Sequence, residues 1–276
     1  MIANQLLALV LFASAPLEPS ASLSTACSPA SAQEKPAENT NPDNRPEIKA
    51  MIEELASRIE KRGKEDHEAV GVIDRLLQEF PKCGPKDRVA VVAVLDKCLG
   101  VKRQENSDGV RDNKLFLATA VALRAMAPES AKILMNWIGA KDHKKDLPLQ
   151  EKLIQSLGKT KDENGRKFLI KLLNDKTPRV LAATAEALGE YGDAKLELRK
   201  ETFDELLKLL METKSANDAG QASNQSDPIA AEKYNTIAAP IISALQKLSK
   251  HDEHDPNEWQ RWWNKNKRED WDDKDA

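Results

Sequence analysis

The sequence is short of the residues that punctuate and stiffen sheets. Of 276 residues only 4 % are aromatic (five Trp, two Tyr, five Phe) and 11 are Gly. With Ala, Leu, Lys and Glu abundant, this balance points to an all-helical chain and away from a sheet-rich enzyme fold. Charge of one sign is also missing. Forty-two Lys+Arg against 45 Asp+Glu leave a net charge of −3, so no global field draws the chain to a phosphate backbone, and nucleic acid is not an expected partner. No apolar run reaches the roughly 20 residues that span a bilayer as a helix. Catalytic motifs are absent as well: there is no G-x-S-x-G, no phosphate loop and no Cys/His pair with an orienting group, so no catalytic residue and no cofactor is expected. The apolar share, 40 %, is enough to bury a core.

The N-terminus carries the longest apolar stretch, Leu6 to Leu17, whose length suits a secretory h-region. Ala30-Ser31-Ala32 supplies the small-x-small pattern that signal peptidase requires, so residues 1–32 are expected to be a signal peptide and the protein to be exported, periplasmic or extracellular. Leu23-Ser24-Thr25-Ala26-Cys27 also resembles the bacterial lipobox, with the Leu one position early. Lipidation at Cys27 is the one route by which a membrane would become a partner. Ser28 to Glu47 is rich in Pro, Ala, Glu and Asn with few large apolar side chains, and residues 33–47 are expected to be a disordered linker.

Two cysteines follow, Cys83 and Cys98. Asp87 to Leu99 reads as one helix about 20 Å long at roughly 1.5 Å per residue, which separates the two thiols beyond the roughly 7 Å reach of a disulfide. Cys98 shares a stripe with Val91, Val94 and Leu95 and reads as core.

What the chain does have is self-similarity. Leu117-Ala118-Thr119-Ala120-Val121-Ala122-Leu123 aligns with Ala182-Ala183-Thr184-Ala185-Glu186-Ala187-Leu188, two periods of about 32 residues apart. Ser156-Leu157-Gly158 holds the register of Ala187-Leu188-Gly189 between them, and a further copy runs from Ile237 through Ala244-Leu245. Before each such segment lies a broader apolar stripe: Ile133, Leu134, Trp137 and Ile138; Phe168, Leu169, Leu172 and Leu173; Phe203, Leu206, Leu207 and Leu210. Spacings of three and four place each set on one helical face. Breakers at Pro81 to Pro85, Pro128, Pro148, Pro178, Gly189 and Gly192 separate five helical hairpins, roughly 48–80, 86–126, 129–158, 163–192 and 199–249. Small residues let the second helices of neighbouring hairpins approach closely, so a stack buries what one hairpin cannot.

The segment Asp175-Lys176-Thr177-Pro178-Arg179-Val180 through Ala187-Leu188-Gly189-Glu190-Tyr191-Gly192 resembles the bacterial HEAT-like repeat. The resemblance implies a right-handed α-solenoid over 48–249 and a role in binding protein partners. The Arg that follows the Val in that family is replaced by Leu181 here and by Phe116 in the earlier copy, which puts the family's Asp–Arg ladder in doubt.

Beyond the repeats, Trp259, Trp262 and Trp263 share one face of a short helix starting near Pro256, with Asp255 as N-cap. Within 250–268 this helix is expected to cap the last hairpin, followed by an acidic tail over 269–276. An exposed aromatic platform for a glycan is the alternative. His251-Asp252-Glu253-His254-Asp255 offers two imidazoles, His251 and His254, as weak candidate metal ligands, although a solvated acidic turn suits the stretch better. Lys and Arg around 141–145 and 159–171 are interrupted by Asp142, Asp146, Asp162 and Glu163 and read as a solvated face. Two polar insertions, Val101 to Arg111 and Lys214 to Asp227, read as loops, the second mobile. The function expected is a non-catalytic scaffold in the cell envelope. It would present the second-helix ridge near Arg124, Gln155, Glu186 and Glu190 to a protein partner, with a HEAT-like lyase or metal-dependent enzyme as the rival.

Overall fold

The computed structural model describes residues 39–103, 112–222 and 227–272, and among them every regular element is a helix. In order these are α1 (Pro46–Ile59), α2 (Asp66–Glu79), α3 (Pro85–Leu99), α4 (Lys114–Leu123), α5 (Ala131–Trp137), α6 (Leu147–Thr160), α7 (Glu163–Leu172), α8 (Pro178–Leu188), α9 (Leu196–Ala222), α10 (Pro228–Ser249) and α11 (Pro256–Asn266). Local chemistry sets their starts. Pro46, Pro85, Pro178, Pro228 and Pro256 each occupy the first helical position, where a missing N–H costs nothing and φ is already helical. The carboxylates of Asp146, Asp162, Asp227 and Asp255 accept from first-turn N–H groups. Lys161 and Lys250 end α6 and α10 in the left-handed region at φ 53° and 58°. No helix among the described residues is long and apolar enough to cross a membrane.

Helices pair with their neighbours in sequence, and the pairs then stack. The even-numbered helices pack in succession, α2 on α4, α4 on α6, α6 on α8 and α8 on α10, while α1 packs on α3 and α5 on α7. The repeated A-T-A motif lies in this seam. Thr119 and Thr184 are fully buried, and each hydroxyl donates to the carbonyl four residues back, Leu115 and Val180, at 2.7 Å. A hydroxyl therefore enters the seam without an unsatisfied polar atom. Glycines set the closest approach. A Cβ on Gly158 would lie 2.6 Å from the Ala187 carbonyl oxygen and 2.7 Å from its Cα, and one on Gly189 would lie 3.1 Å from Ala244 Cα. The Ser156-Leu157-Gly158 and Ala187-Leu188-Gly189 registers are thus the places where one second helix meets the next.

A second set of contacts joins the first helices. Arg88, Arg166 and Arg199 are each the fourth residue of their helix, in α3, α7 and α9. Arg88 forks onto Glu129 at 2.6 and 3.0 Å and donates to the Ala127 carbonyl. Arg166, 1 % exposed, reaches Thr202 and Glu201 of α9 at 3.1 and 2.7 Å. Each of these two guanidinium groups bridges to the hairpin that follows.

Three expectations are corrected. The composition predicts a disordered linker over 33–47, yet residues 39–45 are tied down by long-range bonds. Asn39 and Asn41 amides donate to the Cys83 and Pro81 carbonyls, Gly84 N–H donates to the Pro42 carbonyl, Asp43 accepts from Lys86 N–H, and Asp87 accepts from the Asn44 and Arg45 amides at 3.0 Å. Polar bonds to the exposed start of α3, not apolar burial, offset the ordering entropy of this strap. The polar insertion from Lys214 is not a loop through 222, because α9 continues to Ala222. Thr213 and Asn217 are buried there, and Lys214 pairs with Asp218 one turn on. The acidic tail is also docked as far as Asp272, through Trp271 and Asp272. The signal peptide 1–32, Cys27, positions 104–111 and 223–226, and the tail beyond 272 lie outside the described residues. Cys83 and Cys98 are both buried and free of a disulfide, and burial pushes the Cys98 thiol up to about 12.

Gly158→Ala is expected to destabilise the fold by about 1–3 kcal/mol through overpacking against Ala187. Gly71→Ala in α2, where a Cβ meets nothing within 4 Å, is expected to stabilise it by about 0.5–1 kcal/mol. Urea midpoints of the two variants check the pair, and equal shifts would contradict the close-approach account.

Candidate functional site

The face of the second helices carries three of the four expected partner-binding residues in a ladder. Gln155 on α6 donates to Glu186 on α8 at 2.9 Å, and Lys159 donates to Glu190 at 2.6 Å, each pair 31 residues apart in sequence. Lys247 of α10 approaches the same Glu190 at 3.6 Å, and Arg179 forks onto Glu151 at 2.5 and 2.8 Å. Burial opposes ionisation of Glu190, but the Lys159 bond, with Lys247 beside it, holds the carboxyl below the usual carboxylate range. Arg124 lies at the exposed C-terminal end of α4, outside the ladder, with half-exposed Leu117 and Val121 on the same helix.

The ladder is a solvent-facing feature, and exposed pairs of this kind contribute about 0–1 kcal/mol each. Burying a single Leu contributes about 1.5–3 kcal/mol. The stack is therefore held by the seam beneath, and the ladder defines the polar pattern that a partner meets. Gln155 and Glu186 already bond each other, and Glu190 bonds Lys159, so an incoming group must exchange with these bonds or bridge over them.

At the other end of the domain the aromatic cluster is turned inward. Trp259 is fully buried and Trp271 is 4 % exposed. Four indoles surround the ring of Phe203 in α9: Trp259, Trp262 and Trp271 at 5.5 Å and Trp263 at 5.0 Å, the last stacked. This geometry removes the exposed platform on which glycan binding depended. His251 stacks flat on Trp262, centroids 5.2 Å apart and 12° between planes, and sits edge-on to Trp259. His254 is exposed and lies 3.3 Å from Asp252. The two imidazoles are not brought together as ligands, and among the described residues no group of three or more His, Cys, Asp or Glu side chains could hold a metal ion.

The tail completes the cluster. Trp271 Nε1 donates to the Asn266 carbonyl at 3.0 Å. Asp272 takes both oxygens to Arg199 Nη1, at 2.7 and 2.9 Å, and Lys250 adds a third bond at 3.0 Å. Arg199, 2 % exposed, also donates through Nε to the Leu248 carbonyl. The guanidinium beside it holds the Asp272 carboxyl below its ordinary value, with Lys250 adding to the effect. Glu129 and Glu201 of a following hairpin accept from Arg88 and Arg166, and Asp272 of the tail accepts from Arg199 in the same way.

Two features escaped sequence reasoning. The arginine series had a visible signal, Arg166 and Arg199 recurring one hairpin apart at the same helical position. His143 had none: it is 2 % exposed, bonds the Leu99 carbonyl through Nε2 at 2.7 Å and packs edge-on to Phe116, while Trp137 Nε1 donates to Asp96 at 2.7 Å.

With this geometry in place, comparison with known proteins adds one match. Residues 141–222 match a family described as HEAT repeats. That stretch spans α6 to α9, the part of the chain where the ladder and the buried Arg166 lie. The match and the helical fold together support a HEAT-like repeat protein. No curated protein and no solved structure matches the chain.

Arg166→Ala is expected to cost about 2–4 kcal/mol, since a buried guanidinium and its packing are lost, whereas Glu186→Ala should stay within about 0.5 kcal/mol. Denaturant titrations distinguish them. Asp272→Asn should lower the unfolding midpoint at neutral pH. Because the folded pKa of Asp272 is depressed, its contribution is present above the unfolded value of about 3.9 and is lost as pH falls through the folded one. The gap between wild type and variant should therefore close in acid, as read by tryptophan fluorescence.

Proposed function

We propose that the chain is an exported, non-catalytic scaffold. In this reading it is a right-handed α-solenoid of five HEAT-like hairpins, closed by a C-terminal Trp cap, that binds a protein partner along the face of its second helices. The observation that carries it is the unbroken succession α2, α4, α6, α8, α10, with the Gln155–Glu186 and Lys159–Glu190 rungs joining two of these helices. HEAT repeats usually mediate protein–protein interaction and are generally non-catalytic, in keeping with this reading. Stacked repeats of this kind form an extended concave surface. Export rests on the apolar run Leu6 to Leu17 and the Ala30-Ser31-Ala32 site, with anchoring at Cys27 as the lipidated variant of the same route.

Photo-crosslinkers placed at Arg124 and Glu186, with Glu205 on the outer helix as control, test the surface in cells. One partner captured in stoichiometric yield from the first two positions and not from the third is the expected result. Equal capture from all three, or none from Arg124 and Glu186, would overturn the assignment. A mature N-terminus beginning at Gln33, read by mass spectrometry, is the expected sign of export.

A further inference from the structure

The sequence contains one Asn-Gly dipeptide, Asn164-Gly165, which has no part in the partner surface proposed above. Asn is a thermolabile residue, and a following Gly makes it most so. A residue without Cβ neither shields its own nitrogen nor restricts the backbone that must swing it into place. The reaction needs no catalyst. Gly165 N attacks Asn164 Cγ, a C–N bond closes a five-membered succinimide, and the side-chain nitrogen leaves as ammonia with the proton of the Gly165 amide. Water then opens the ring at either carbonyl, giving aspartate or isoaspartate.

The first turn of α7 holds this pair, with Asn164 exposed and Gly165 buried. Three contacts fix the glycine nitrogen. Its N–H donates to Oδ1 of Asp162, the N-cap, at 2.7 Å. Tyr191 Oη donates to the Asp162 carbonyl at 2.8 Å and so holds the cap itself. The glycine also lies so close to α6 that a Cβ on it would stand 3.0 Å from Leu157 Cδ1. To attack, the nitrogen must give up the proton bonded to that carboxylate, and the backbone must leave the helical ψ that keeps it from Asn164 Cγ. Attack therefore waits until the first turn opens. Two residues on, Arg166 makes the buried joint to Thr202 and Glu201 of α9. An isoaspartate adds one carbon to the main chain at 164 and displaces that arginine. We infer that Asn164 is a modification site: it deamidates spontaneously, the Asp162 cap holds it closed, and its conversion loosens the joint between α7 and α9.

The test incubates the purified full chain in mildly alkaline buffer and follows loss of the Asn164 amide by peptide mass spectrometry. A synthetic peptide spanning residues 160–169 supplies the rate of the same segment without the fold. The full chain should convert more slowly than the peptide by a factor of about ten or more. Asp162→Ala, which removes the cap, should convert about fivefold faster than wild type. Asp162→Asn, which keeps an accepting cap, should stay within about twofold of wild type. Circular dichroism confirms that both variants are folded. Chains converted at Asn164 carry an added negative charge, separate on ion exchange, and should unfold at lower urea than unconverted ones. Equal rates in chain and peptide, an Asp162→Ala rate equal to that of wild type, or equal urea midpoints for the two fractions would each overturn the proposal.

Discussion

Close contact between backbones of successive second helices is the constraint on which this structure depends. Gly158 against Ala187 and Gly189 against Ala244 leave no room for another methyl group or very little, and Leu157, Leu188 and Leu245 fill the layer around them. Hairpins this short cannot bury an apolar face alone, so the seam is what turns a row of marginal helix pairs into a core. Even the hydroxyls in the seam obey this, since Thr119 and Thr184 satisfy themselves on their own helices and leave the opposing surface free to pack. The charged rungs above the seam add pattern to the surface and little to its stability.

A different logic operates among the first helices, which are bulkier and stand further apart. There the joints are guanidinium–carboxylate pairs, Arg88 onto Glu129, Arg166 onto Glu201 and Arg199 onto Asp272. These rest on aromatic rings in two of the three cases: Arg88 lies 4.1 Å over Phe80 and Arg199 5.6 Å from Trp271. Planar, delocalised groups with several donors suit such joints better than ammonium groups, because one guanidinium can bond a carboxylate and a second acceptor at once, as Arg88 does with Glu129 and Ala127 and Arg166 with Glu201 and Thr202. Arg88, Arg166 and Arg199 thus stand at the joints between successive first helices and the tail.

Much of the helical order is legible in the sequence because apolar positions at spacings of three and four can have only one geometric meaning. The A-T-A-x-A-L copies at Leu117 to Leu123 and Ala182 to Leu188 locate the seam for the same reason. Composition failed where long-range polar contacts decide the outcome. Asn39 to Arg45 reads as a tether, yet it is held by partners more than 40 residues away. Lys214 to Asp227 reads as a loop because it is polar, yet its first part continues α9, with Thr213 and Asn217 buried on the inner face. His251 reads as part of a solvated acidic turn, with metal ligation as a weak alternative, whereas its ring stacks on Trp262, eleven positions further on, and meets Trp259 edge-on. Of the candidate partner residues, Gln155, Glu186 and Glu190 fall on one surface as the periodicity requires, but the Gln155–Glu186 and Lys159–Glu190 bonds depend on the offset between helices, which no single helix encodes.

The Asp272–Arg199 joint bears on how long such a stack could be. Any additional helix pair laid against α9 would have to expel Trp271 from Phe203 and offer its own carboxylate to Arg199 in exchange. Helix pairs added there would therefore compete with Trp271 and Asp272 for the same face of α9, and a graft designed to extend the array should carry Asp272 and the indoles along to the last hairpin.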